Sequence, residues 1–291
     1  MRLQHRLHHI RRVFRRRREL LPRRWFYRVA GRFTPIVAAR SGHGLVLVTT
    51  ADSSFSPGLF EHGRRKEYRI LKLALNSLEE AGHPAGTGVF VDVGAHVGTT
   101  TLAALDAGFR SCIAIEPSPK TCRLLRANVA LNGAHDRVTV IETAVSNIPG
   151  TAILGLDKGS PSKNRLVRPG EARGATIEVE QMTLDQLVAS GHVDDATVGF
   201  LWMDVEGSEP QVLLGASSLL ERGVPIVAEV NPKVGGPDVA REMLAAVDRH
   251  YTHVRDFGPL SSGRFEPVAD LAIADRYREH RKFTDVLFVR L

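Results

Sequence analysis

Residues 90–105, FVDVGAHVGTTTLAAL, decide how the rest of the chain is read. Phe90, Val91 and Val93 are β-formers in a short apolar run, the pattern of a strand buried on both faces. Gly94 and Gly98 then turn the chain, and residues 99–107 follow with an apolar face suited to a helix. A strand, a glycine-rich turn and a helix in this order open a nucleotide-binding α/β sheet.

Two details of the turn separate the ligands it could serve. The dinucleotide fingerprint places a second glycine two residues after the first, so that pyrophosphate can reach the backbone. That position is His96, whose side chain stands in the way. Asp92 adds a carboxylate at the strand end, which suits ammonium or hydroxyl donors and repels phosphate. A P-loop is excluded because no Gly-Lys-Ser/Thr follows. A ligand with a cationic amino-acid end and an adenosine end fits best, which is S-adenosylmethionine. Taken alone, the glycines fit a structural connection that holds nothing equally well.

The 291 residues allow one large domain or two small ones. Two cysteines, Cys112 and Cys122, cannot build a disulfide framework and lack metal-ligand spacing, which points to a reducing cytosol. No stretch approaches the roughly 18 apolar residues of a membrane span. The net charge of +7 is unevenly placed: residues 1–32 hold twelve arginines and one glutamate, +11, and the other 259 residues sum to −4. A mildly acidic domain therefore carries a basic arm. Leu3, Leu7, Ile10 and Phe14 recur at spacings of three and four among the arginines, which would give a helix one apolar face. Such an arm suits an anionic membrane surface, with Trp25, Phe26 and Tyr27 at the interface. It suits nucleic acid phosphates as well, and a solvated extension is the plain alternative. The expected location is cytoplasmic, at the inner membrane surface if the arm binds lipid.

Along the chain, residues 44–50 read as a strand of a hairpin and 64–81 as a helix that covers the sheet. After the opening unit come a strand over 111–115 and a helix begun by Ser118 and Pro119, as N-cap and first helical residue. A third strand spans 137–142. The repeated strand–helix–strand rhythm implies parallel pairing with right-handed crossovers, a doubly wound sheet. Residues 152–156 and 176–180 read as two strands around a long polar stretch, of which 158–173 is expected to cover the site. A helix over 184–190, a strand over 198–203, one helix over 208–221 and a strand over 225–230 follow. A helix over 238–250 and strands over 251–257 and 284–291 complete the pattern.

Glu116, before Pro117, lies 22 residues after Gly94 at the end of the second strand. An acid at that spacing accepts hydrogen bonds from ribose hydroxyls. Past the third strand Glu142, Thr143 and Ala144 should flank the adenine, with Ala144 leaving room for a flat ring. Asp204 and Glu206 leave the strand VGFLWM beside the central strand, on the rim where ligands of open α/β sheets sit. One could hold the methionine ammonium while the other orients or deprotonates an acceptor; alternatively Glu206 only caps the following helix. Glu229 is a third acid on that rim. Amino methylation commonly uses an Asn/Asp-Pro-Pro-aromatic turn after the fourth strand, whereas Asn231-Pro232 follows the fifth and continues Lys233-Val234. Neither cysteine is placed as a nucleophile for carbon methylation. Oxygen methylation needs only in-line placement of a hydroxyl and a base. No His/Asp set has metal spacing, so no metal is expected.

VFVDVGAHVGTTTL, AIEPSPKTCRLLRANVALN, IETAVSN, TLDQL, LWMDVEGSEPQVLLGASSLL and PIVAEVNP, in that order over roughly 60–232, resemble the FkbM-type methyltransferases. The resemblance implies a Rossmann-like class I methyltransferase fold, an α/β doubly wound, mostly parallel seven-stranded sheet with an antiparallel last strand. It implies O-methylation of a sugar or natural-product hydroxyl, such as a glycolipid or a polyketide-like small molecule. It assigns Asp92, Gly94 and Gly98 to the methionine-end turn, whose intervening Ala95, His96 and Val97 are expected to touch the cofactor too, and Glu116 to the ribose, and it matches Asp204 and Glu206 to the family's acidic element. The expected organisation is an arm over 1–32, a hairpin with its covering helix over 33–88, and a methyltransferase domain over 89–291. An RNA methyltransferase with the arginine arm as clamp, and a fold that binds the cofactor without catalysis, are the alternatives.

Overall fold

The computed structural model describes residues 22–63, 65–83, 86–167, 174–270, 272–280 and 282–291. The arm's Leu3, Leu7, Ile10 and Phe14 lie outside the described residues. A helix over 22–30 (α1) leads to the antiparallel hairpin β1 (Ile36–Ser41) and β2 (Gly44–Thr49), then α2 (Phe55–His62) and α3 (Lys66–Glu80). Next come β3 (Val89–Val93), α4 (Thr99–Asp106), β4 (Ser111–Ile115), α5 (Pro119–Leu131) and β5 (Val138–Ile141). A small separate sheet holds β6 (Ala144–Val145), β7 (Gly150–Gly155), β8 (Arg165–Val167) and β9 (Thr176–Met182). The chain continues through α6 (Leu184–Ala189), β10 (Val198–Met203), α7 (Glu209–Leu214), α8 (Ser217–Glu221), β11 (Ile226–Val230) and α9 (Val239–Val247). It ends with β12 (His253–Asp256), β13 (Phe265–Pro267), α10 (Ala272–His280) and β14 (Thr284–Val289).

The main sheet has the order β13-β12-β14-β11-β10-β3-β4-β5. Strands β3, β4, β5, β10 and β11 are parallel neighbours, and β14 runs antiparallel between β11 and β12. The expected antiparallel last strand is present, but the sheet has eight strands rather than seven. The extra one is β13, which pairs antiparallel with β12 at the edge.

Strand order reverses at β3, between β4 and β10, and a crevice opens beyond the carboxyl ends of strands at such a point. Alternation along the strands feeds two cores. Val91, Val93, Ile113 and Ile115 pack with Leu184, Val212, Val239 and Met243 on one face. Phe90, Ala114, Trp202 and Leu287 pack with Ile70, Leu71, Ala74 and Leu102 on the other.

Two departures from the sequence reading have local causes. The single helix expected over 208–221 is two, because the chain breaks at Gly215, where a Cβ would lie 2.3 Å from the Ser146 carbonyl. The Asp185 carboxylate then caps α8 by accepting from the Ser217 and Ser218 amides at 2.9 Å. Helix α2 has no counterpart in that reading. Its first turn is held by Asp52, which accepts from the amides of Ser54, Phe55 and Ser56 at 2.9, 3.2 and 2.8 Å.

Candidate active site

The crevice is built first by backbone. The amides of Gly94 and Ala95 donate to the Ile115 carbonyl at 2.9 and 3.0 Å, tying the β3 turn to β4. The Asp204 amide donates to Val93 at 3.0 Å, tying the β10 turn to β3. Gly94 has φ +87°, and a Cβ there would lie 2.0 Å from the Asp204 carbonyl, so only glycine lets the two turns touch. His96 holds φ +51°, rare for a residue with a side chain. Its amide donates to Glu116 Oε2 at 3.0 Å, and its ring meets Phe55 edge-on at 4.5 Å. Burial pushes the imidazole down to about 4, so it is neutral at pH 7, and Nδ1 is buried with no hydrogen-bond partner.

Glu116 occupies the place expected of it. Oε1 accepts from the Ser118 amide at 3.0 Å and Oε2 from His96, which leaves further lone pairs on both oxygens for a ligand. Burial pushes its carboxyl up to about 7 despite those two bonds. Gly94, His96, Glu116, Pro117, Thr143 and Ala144 line one side of a narrow cavity, and Asp204 and Glu206 line the other. Its roof is the strap from Pro161 to Leu166, held to the α2 cap by Ser160 Oγ, which donates to Asp52 at 2.9 Å. The acceptor groups fit the two ends of S-adenosylmethionine: the Glu116 oxygens suit vicinal hydroxyls, and one of the Asp204 and Glu206 carboxyls suits a cationic end.

Other expected residues go elsewhere. Asp92 is buried and accepts from Thr101 Oγ1 at 2.5 Å, so it fastens β3 to α4 and is not in the cavity wall. Burial pushes its carboxyl up to about 7. Glu142 pairs with Arg126 at 2.7 Å on the outer surface and does not reach the cavity. Ala95 and Val97 pack into the core behind the turn, and Gly98 abuts Leu125.

The acids after β10 separate by role. Glu209, which the sequence reading passed over, accepts from the amides of Val205 and Gly207 at 3.0 Å each and so holds the turn. An acid in the first turn beside Pro210 was the available signal. These turn amides are thus taken by Glu209 and not by Glu206. Glu206, at φ +53°, lines both the narrow cavity and an adjoining open cleft of about 1620 Å³. Burial, and then the charge of Glu229, push its carboxyl up to about 7, while Lys66, Lys163 and Arg165 pull it back. Burial and Glu229 likewise raise Asp204 well above the ordinary range. Glu229 lines the cleft only, accepting from Lys66 Nζ at 2.8 Å and Asn231 Nδ2 at 3.2 Å. Lys66 had no signal in the sequence, since only tertiary packing brings α3 here. Among the described residues no group of three or more His, Cys, Asp or Glu is arranged to hold a metal ion.

The family model of the methyltransferase FkbM domain matches residues 92–256. No curated protein matches the chain. Among solved structures, similarity extends to the methyltransferase FkbM from Methylobacillus flagellatus KT, at 19% identity and a TM-score of 0.43, covering 70% of this chain and 44% of that one. The chain thus spans less than half the length of that relative. TYW2 from P. horikoshii in complex with MeSAdo is 17% identical, with a TM-score of 0.45, over 87% of this chain and 70% of that one. A putative O-methyltransferase from Klebsiella pneumoniae is 12% identical, with a TM-score of 0.40, over 76% and 90%.

Proposed function

The chain belongs to the FkbM methyltransferase family; on that premise we propose that it is an S-adenosylmethionine-dependent methyltransferase acting on a hydroxyl of a sugar, glycolipid or polyketide-like molecule. The observation that carries this reading is Glu206, on the wall common to the narrow cavity and the open cleft. The cofactor supplies an electrophilic methyl group, so the protein's task is to align an acceptor and remove its proton. A carboxyl near 7 is suited to that exchange at neutral pH. Glu206 would accept the proton of the acceptor hydroxyl. Asp204 would hold the cationic end of the cofactor and Glu116 would accept from its ribose hydroxyls, while Glu229 lines the cleft. Asn147, Asn231, Gln181 and Gln211 along the cleft suit a polyhydroxylated acceptor.

The same reading takes the protein to an anionic membrane surface, where a lipid-linked sugar would be met. Trp25 and Phe33 are 68% and 83% exposed beside Arg24, Arg28 and Arg32. Aromatic and basic side chains together suit a headgroup interface.

Calorimetry with S-adenosylmethionine tests the site. Glu116→Ala should weaken binding at least about tenfold, on the scale of a lost charge-assisted hydrogen bond. Glu142→Ala should leave it unchanged. Equal losses in both variants would reject the assignment of Glu116.

A further inference from the structure

Lys66 is the first residue of α3, well before residue 92 where the family match begins. A cation at a helix N-terminus opposes the helix dipole, and Arg65 precedes it, so the local sequence is unfavourable here. The conflict is resolved across the fold. Nζ donates to Glu229 Oε1 at 2.8 Å, lies 3.6 Å from Asp285 Oδ2, and sits 4.7 Å from the Phe283 ring centre. Glu229 and Asp285 are directly opposite one another on the antiparallel pair β11–β14. Like charges facing across a strand pair repel, and Lys66 is the cation that lies between them. An ammonium has three donors, Lys66 lines the acceptor cleft, and it keeps about a third of its side chain exposed there. Burial alone would lower its pKa, but Asp285, Glu229 and Asp204 together hold it above the ordinary value.

We propose that Lys66 is a positioning residue of the transfer site, bridging Glu229 and Asp285 and offsetting part of their negative charge so that Glu206 is left to take the acceptor's proton. The inference rests on the base role given to Glu206 above. The charged groups around Glu206 are Glu229 of β11, Lys66 of α3, Lys163 and Arg165 of the strap and β8, with Asp204 and Glu209 in its own turn. Lys163 and Arg165 face it from the strap, so Lys66 is the cation on the sheet side. Without it, the negative charge of Glu229 acts on Glu206 without that offset and Glu206 holds its proton more tightly. A lysine that merely tied α3 to the sheet would change stability but not this proton affinity.

The test is a carbon-13 NMR titration of the full chain labelled at glutamate carboxyls, with Glu206 assigned from its loss in Glu206→Gln. Lys66→Met should raise the Glu206 midpoint by about one pH unit, a tenfold change in proton affinity, and Lys66→Arg should keep it near wild type. Glu229→Gln retains Lys66 and removes one negative neighbour, so it should lower the midpoint even if Lys66→Met does not fold. A Glu206 midpoint unmoved in Glu229→Gln, or in folded Lys66→Met, overturns the proposal. Calorimetry with S-adenosylmethionine on the same wild-type sample judges the transferase reading separately: failure to bind would reject that reading, while the midpoints still decide the role of Lys66.

Discussion

Glu206 stands in a left-handed backbone conformation with its carboxyl near 7, and both facts have a cost that a measurement can read. The folded protein holds this proton more tightly than the unfolded chain, whose glutamate titrates near 4.5. The group's contribution is therefore neutral below about pH 4.5 and becomes destabilising as pH rises through about 7. Glu206→Gln should stabilise the protein by on the order of 1 kcal/mol at about pH 8, after allowance for its partial exposure, and by nothing at about pH 4. Thermal melts at the two pH values decide it; an equal shift at both would point to a packing effect. Glu116 was legible from its spacing alone, because the strand end and the following turn determine where its carboxyl goes. Asp92 was misread at the same scale. It shares the parity of Phe90, so its side chain faces the layer covered by α4, where it meets Thr101. Strand alternation held that information, and the motif obscured it.

Elements carry a second kind of specification, seen where α5 meets the hairpin. Asn128 takes the Leu47 amide at 2.6 Å and gives Nδ2 to the Leu47 carbonyl at 3.1 Å. Asn132 does the same for Leu45, at 3.0 and 2.7 Å. Four residues of helix rise about 6 Å and two of strand about 6.8 Å, so one helix face can serve a strand edge in place of another strand. Asn128 also donates to the Val97 carbonyl at 2.9 Å, linking the hairpin to the glycine turn. Asn128→Leu leaves these buried backbone groups without partners and should cost about 2–4 kcal/mol, read as a drop of several degrees in Tm. Asn132→Leu, nearer solvent, should cost less. Helix α5 itself was legible from Ser118 and Pro119, whose cap and first-turn roles are local. The break at Gly215 and the cap of α2 were not, since each depends on a contact with another segment.

At the scale of the whole molecule the question is how an acidic domain uses a basic, aromatic edge. Trp25 is exposed and the only other tryptophan, Trp202, is buried in the sheet, so intrinsic fluorescence reports the edge directly. Vesicles with about a third anionic lipid should blue-shift Trp25 and allow its quenching by brominated chains, while neutral vesicles should not. Salt-sensitive binding of bulk RNA without any response to vesicles would assign the edge to nucleic acid instead. The sequence alone determined the doubly wound sheet, the glycine turn and the place of Glu116 at the end of the second strand. Strand periodicity, turn chemistry and short spacings are local, and they are written in consecutive residues. Only the tertiary structure decided that Glu142 turns away to Arg126 and that Lys66 enters the open cleft beside Glu229. Those outcomes depend on charges brought together from distant segments, whose separation in space no local pattern encodes.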